Sequence, residues 1–112
     1  MKEKRKLKRY SVSLNVYSQE SDELIGYAEN LHREGMLMAT QNPLDNQKEY
    51  KIWFGGKKDD ANSDRILISA YCVWESGKDN KRGIYYSGMM FSKPSKEAVE
   101  KIQALIDKVK TS

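Results

Sequence analysis

The chain has 112 residues and a formal net charge of +4, which leaves room for one domain with a lean core: only about 38% of the residues belong to the apolar set, counting glycine, that makes roughly 45–50% of an average globular chain. No run of about 18 apolar residues occurs, which argues against a membrane-spanning helix, and no apolar segment follows the basic start as in a secretory signal. The single cysteine, Cys72, cannot form an internal disulfide and fits a reducing, cytoplasmic compartment; with one histidine it leaves too few ligands for a structural zinc site, and no other metal site is expected.

Taken in chain order, the first segment is MKEKRKLKR, residues 1–9. It holds six bases (Lys2, Lys4, Arg5, Lys6, Lys8, Arg9) and one acid (Glu3), a net +5. The remaining residues hold 14 bases and 15 acids, a net −1, so the body is neutral and the arm is strongly basic. Like charges repel and little apolar surface is there to bury, so the arm is expected to be mobile when empty and to attract an anion. Tyr10 to Tyr17 alternates, with Val12, Leu14 and Val16 on one side and Ser11, Ser13 and Asn15 on the other, the pattern of a half-buried strand. A polar turn over 18–22 leads to a second strand over 23–30. Residues 31–34 read as a short polar connection before Gly35, and 36–40 as a third strand.

Asn42-Pro43 and Asp45-Asn46 mark a turn. Residues 49–54 form a fourth strand, with Tyr50, Ile52 and Phe54 opposite Lys51 and Trp53. Gly55-Gly56 opens a loop, and 65–75 is the longest strand, mostly apolar on both faces. A polar hairpin over 76–82 precedes a returning strand over 83–91. The period then changes. Val99, Ile102, Leu105, Ile106 and Val109 lie three and four apart on one helical face, behind Pro94, with Ser95 as the cap and Glu97 where the helix dipole favours an anion. Six short strands and one helix predict an all-β fold, a small antiparallel barrel or sandwich closed at one end by the helix.

Two motifs stand out. Arg5-Lys6-Leu7-Lys8-Arg9 is an R-x-x-x-R directly before the first strand, and 20 residues separate Arg9 from Asn30-Leu31-His32-Arg33-Glu34-Gly35. In order and spacing these resemble the PilZ domain, a bacterial family that binds cyclic di-GMP, whose signature is R-x-x-x-R before a barrel and then [D/N]-x-S-x-x-G. Val73-Trp74, the polar hairpin, Tyr86-Ser87-Gly88-Met89-Met90-Phe91 and the closing helix extend the resemblance over the whole chain. The resemblance implies a single domain over 1–112: a flexible basic arm over 1–9, a six-stranded antiparallel β-barrel over 10–91 and a C-terminal helix over 95–110. One position departs from the pattern. His32 stands where the family has a small hydroxyl residue, which bears on affinity more than on fold.

The residue chemistry suits that ligand. Cyclic di-GMP carries two phosphates and two guanines. An arginine fork meets guanine O6 and N7 together, matches phosphate oxygens and stacks on flat rings. Asn30 offers an amide oxygen and nitrogen to a guanine edge, and Gly35 permits close backbone approach or positive φ. His32 would donate or accept where the hydroxyl otherwise stands, at longer reach. Lys4 fits either a phosphate contact or a solvated side chain. Trp74 fits either stacking on a guanine at the barrel mouth or burial in the barrel, and Trp53 fits the core or a barrel face. Asn30 and Gly35 also fit a plain strand-to-strand turn, and the arginines a solvated tail.

The expected ligand-binding set is therefore Arg5, Arg9, Asn30, His32 and Gly35, with Lys4 and Trp74 as lesser members and no catalytic residue or cofactor. The chain reads as a receptor that orders its arm on binding and so signals to a partner protein of motility, biofilm or secretion control, as the resemblance implies. An alternative keeps the fold without the ligand, as a protein-interaction adaptor. A nucleic-acid polymer is a poorer partner, because the basic residues of the body are scattered. Membrane insertion is not expected.

Overall fold

The computed structural model describes residues 10–46, 48–57, 59–60, 64–79 and 83–111. Six strands are formed: β1 (Tyr10–Ser18), β2 (Leu24–His32), β3 (Gly35–Thr40), β4 (Glu49–Phe54), β5 (Ile66–Asp79) and β6 (Ile84–Ser92), followed by the helix α1 (Lys96–Thr111). The strands close into an antiparallel barrel in the order β1-β2-β3-β6-β5-β4. The expected barrel with a closing helix is thus the observed architecture.

Alternation decides what enters the barrel. Along β1, Val16 is fully buried and Val12 and Leu14 pack against the core, whereas Ser11, Ser13 and Asn15 are exposed. Along β5, Ile66, Ile68, Ala70 and Cys72 point inward. This strand does not bury both faces as its composition suggests, since Leu67, Val73 and Trp74 are all more than 40% exposed. It also runs on to Asp79, so the polar residues read as the start of the hairpin continue the ladder with β6.

The barrel closes at its narrowest seam. β1 and β4 share only the pairs Tyr17↔Trp53 and Ser18↔Ile52. Trp53, which alternates out of phase with Ile52 and Phe54, is nevertheless 1% exposed. It is covered on the outer face: Tyr17 stacks on it at 4.4 Å, the Arg65 guanidinium lies 3.9 Å from its ring centroid, and its Nε1 donates to Asp22 Oδ1 at 2.9 Å. Gln19 Nε2 adds bonds to the carbonyls of Ile52 and Ile68.

The helix begins where expected. Ser95 Oγ accepts from the Ala98 amide at 3.0 Å, and Glu97 lies in the first turn. The buried face differs by one residue. Val99 is 42% exposed, and Ala98 takes the inner position with Ile102 and Ile106. The residues 98, 102 and 106 keep the four-residue spacing, and the small alanine side chain leads the face that packs on β1 and β5.

Candidate functional site

Between β2 and β3 the connection is shorter than the sequence suggests. Only Arg33 and Glu34 form the turn; Asn30 and His32 belong to β2 and Gly35 to β3. The ladder reaches further because His32 pairs with Gly35. The turn is held from both sides. The Glu34 carbonyl accepts from the Phe91 amide at 2.8 Å, and the Glu34 amide donates to His32 Nδ1 at 3.1 Å.

A register shift in β2 between Ala28 and Asn30 leaves Glu29 as the extra residue against β3. Ala28 and Leu31 both enter the core, so Asn30 and His32 lie on the outer face. The register then lines up two rows across the barrel surface. One runs Ser11, Asn30, Leu37, Gly88, Trp74 over β1, β2, β3, β6 and β5. The other runs His32, Gly35, Met90, Tyr71 over β2, β3, β6 and β5. Asn30, His32, Gly35 and Trp74, 44 positions apart in sequence at the extremes, therefore share one face.

Both glycines on this face are dictated by close packing. A Cβ on Gly35 would overlap the Met89 carbonyl oxygen, so β3 and β6 could not approach as they do. Positive φ is not involved: the positive-φ glycines of the described chain are Gly55 and Gly83. A Cβ on Gly88 would overlap the Trp74 indole, which rests over that backbone. Trp74 is 42% exposed, so the barrel interior, one of its two expected places, is excluded.

Asn30 is half-buried, and its Oδ1 has no hydrogen-bond partner among the described residues. A desolvated acceptor of this kind costs about 1–3 kcal/mol if nothing donates to it. His32, Leu37, Trp74, Gly88 and Met90 line a shallow depression of about 60 Å³. Small-molecule pockets run to roughly 300–1,000 Å³, so this face is an open platform and not an enclosing cleft. The charged residues next to it in the chain are Arg33 and the acids Glu29, Glu34 and Glu75. The platform by itself is therefore no anion trap.

A larger hollow of about 520 Å³ lies elsewhere, between α1 and the start of β5, lined by Gly55, Asp64, Ile66, Lys101, Leu105 and Lys108 among others. It gathers none of the motif residues and mixes two charge signs. Among the described residues no group of three histidine, cysteine, aspartate or glutamate side chains is placed to hold a metal. No helix among them is long and apolar enough to cross a membrane.

Lys4, Arg5 and Arg9 lie outside the described residues. The described chain begins at Tyr10, whose partner is Leu31, and Ser11 faces Asn30. The segment carrying both arginines is thus joined to the barrel beside Asn30 and His32. Leu37 and Met90 were not singled out from the sequence. Leu37 could have been found from the period-2 pattern, as the outward residue between buried Met36 and Met38.

No family model matches the sequence, and neither does any curated protein. Solved structures share the fold. The inhibitor of motility MotI/DgrA of Bacillus subtilis superposes with a TM-score of 0.73 at 13% identity, over 99% of this chain and 54% of that one. The PilZ domain of YcgR from Escherichia coli, solved with c-di-GMP, gives 0.69 at 13% identity, over 97% of this chain and 93% of that domain. YcgR in complex with c-di-GMP gives 0.69 at 10% identity, covering 97% of this chain and 47% of that one. The chain has a PilZ-like fold and spans about half the length of the two longer proteins.

Proposed function

We propose that the chain is a receptor for cyclic di-GMP that binds the dinucleotide on the β2–β3–β6–β5 face and closes its basic arm over it. The observation that carries this reading is the register at the corner: Tyr10 pairs with Leu31, so the R-x-x-x-R segment joins the barrel next to Asn30 and His32. The PilZ-like fold, and the c-di-GMP held by the solved YcgR domain of that fold, support it.

Each part of the ligand has a partner. Arg5 and Arg9 supply the charge that the platform lacks and can fork onto guanine edges or phosphate oxygens. Asn30 supplies an acceptor that nothing among the described residues satisfies. Trp74 offers an exposed indole face for a base, and Lys4 a further cation. Gly35 acts through the barrel, by letting β3 and β6 meet under the platform. Ordering the arm costs free energy, so affinity is lower than the contacts alone would give. The gain is a composite surface of arm and ligand for a partner protein, a role that needs no catalytic group and that a cytoplasmic single-domain protein can fill.

Calorimetric titration with cyclic di-GMP, with cyclic di-AMP as control, tests the reading. Saturable binding of the guanine dinucleotide at tens of micromolar or below is expected. The absence of heat and of any rise in melting temperature would leave the adaptor reading in its place.

A further inference from the structure

We propose that the barrel opens and recloses at the β1–β4 seam, and that the β1–β2 turn is the strap that holds it shut, with Asp22 as its bolt. β4 pairs with β5 along its whole length, from Glu49↔Tyr71 to Phe54↔Ile66, and β1 pairs with β2 from Tyr10↔Leu31 to Tyr17↔Leu24. β1 and β4 meet only at Tyr17↔Trp53 and Ser18↔Ile52. The turn makes up the deficit. The Gln19 amide donates to the Lys51 carbonyl at 3.0 Å, and its side-chain Nε2 reaches past β4 to the Ile68 carbonyl of β5. Asp22 Oδ1 accepts from the Trp53 indole at 2.9 Å and lies 3.9 Å from Arg65 Nη1. Arg65 is itself fastened to the Lys57 carbonyl through Nε and Nη2. One carboxylate thus ties the turn both to β4 and to the residue just before β5.

The backbone is shaped for this task. Asp22 stands at φ 58°, a left-handed conformation that aspartate tolerates better than most residues but that still costs free energy. The turn is closed by the Asp22 amide on the Ser18 carbonyl and the Ser18 amide on the Glu23 carbonyl, which aims the carboxylate across the seam. Releasing it frees two ladder pairs and one indole, whereas parting any other two neighbouring strands unzips a longer ladder. Segments with few bonds to break open locally, below the cost of global unfolding. The end of β1 then swings from β4, and the ladders joining β2, β3, β6, β5 and β4 stay paired. Two strand edges, at Tyr17–Ser18 and Ile52–Trp53, meet water together with the Trp53 ring. No ligand is needed for this motion.

Hydrogen exchange followed by NMR on the full chain, in rising subdenaturing guanidinium, tests the strap. The Trp53 indole N–H and the Gln19 amide report the seam. Trp53 is one of two tryptophans, so W74F identifies its signal. The slowest amides of β3 and β6 report global unfolding. The seam probes are expected to exchange at least about tenfold faster than these, and almost independently of denaturant, because a small opening exposes little surface. D22G removes the bolt and relieves the backbone. It should speed the seam probes about 10- to 100-fold, the loss of one hydrogen bond to a charged acceptor. D22N keeps the acceptor and should stay close to the wild type. G35A acts on β3 and β6, which stay paired in both states, so it should speed the slow amides and leave the seam probes unchanged. Seam probes that share the denaturant slope of the slow amides overturn the proposal, because the barrel then opens only as a whole. So does D22G with wild-type exchange at Trp53, D22N exchanging as fast as D22G, or G35A quickening the seam as much as the slow amides. Should D22G fail to fold, the wild-type slopes still decide.

Discussion

A buried acceptor that nothing satisfies costs about 1–3 kcal/mol wherever it sits, and Asn30 Oδ1 is one among the described residues. The residue also lies on the proposed platform, at its β2 side. Its two roles therefore separate on mutation. Asn30→Ala is expected to leave the empty protein as stable as the wild type or slightly more so, while weakening cyclic di-GMP binding about tenfold or more. A melting temperature several degrees lower would instead assign Asn30 to the fold. Gly35 behaves in the opposite sense. A Cβ there meets the backbone of β6 at Met89, which cannot move aside as a flexible side chain can. Gly35→Ala should destabilise the empty protein by about 1–3 kcal/mol, the usual cost of forcing extra atoms into a packed site, readable by chemical denaturation. An unchanged denaturation midpoint would show that β3 and β6 have slack at this point.

At the scale of elements, the helix is tied to the barrel by apolar packing and by a polar clasp at Lys101. Lys101 Nζ lies 3.1 Å from Asp64 Oδ1 and 3.2 Å from Glu97 Oε2, and donates to the Arg65 carbonyl at 3.1 Å. Its hydrogen bonds to the Asp64 and Glu97 carboxylates raise its pKa above the ordinary 10.5. A raised folded-state value means that the clasp contributes fully below pH 10.5, and that its contribution is lost as pH rises through the folded value. Lys101→Met should therefore lower the melting temperature near pH 8, and the gap to the wild type should close at strongly alkaline pH. A gap that stays constant with pH would locate the effect in packing of the side-chain stem and not in its charge. The same clasp joins α1 to the residues just before β5, where Arg65 covers Trp53 and thereby the β1–β4 seam.

For the whole molecule, the charge is divided between an arm of net +5 and a body of net −1. In the proposed receptor the body would supply shape and an acceptor, and the arm the countercharge. Arg5→Ala and Arg9→Ala should each weaken cyclic di-GMP binding about 5- to 150-fold, the worth of one bidentate contact, without lowering the melting temperature of the empty protein. Affinity should also fall as ionic strength rises, because exposed charges are screened beyond about 10 Å at 0.1 M salt. A variant that melts early would make the arm part of the barrel's own structure. A wild-type affinity indifferent to salt would remove the arm from the electrostatics of binding.

Strands, the helix cap and the two spaced motifs are local facts, and local pattern is enough to read them. Alternation along β1 marks its buried side, and Ser95 and Glu97 mark where α1 begins, because these effects act within one turn or one pleat. Other features depend on which residues meet across the barrel, and no local pattern holds that information. The choice of Ala98 over Val99 for the inner face, the covered Trp53 on an outward position, and the exposed Trp74 over Gly88 were settled by neighbours distant in sequence. The same holds for the platform itself. Asn30, His32 and Gly35 were legible as a motif, but the Gly35–Met89 approach and the rows joining them to Gly88 and Trp74 follow from interstrand register. Register is a property of paired strands, and it exists only once the barrel has closed.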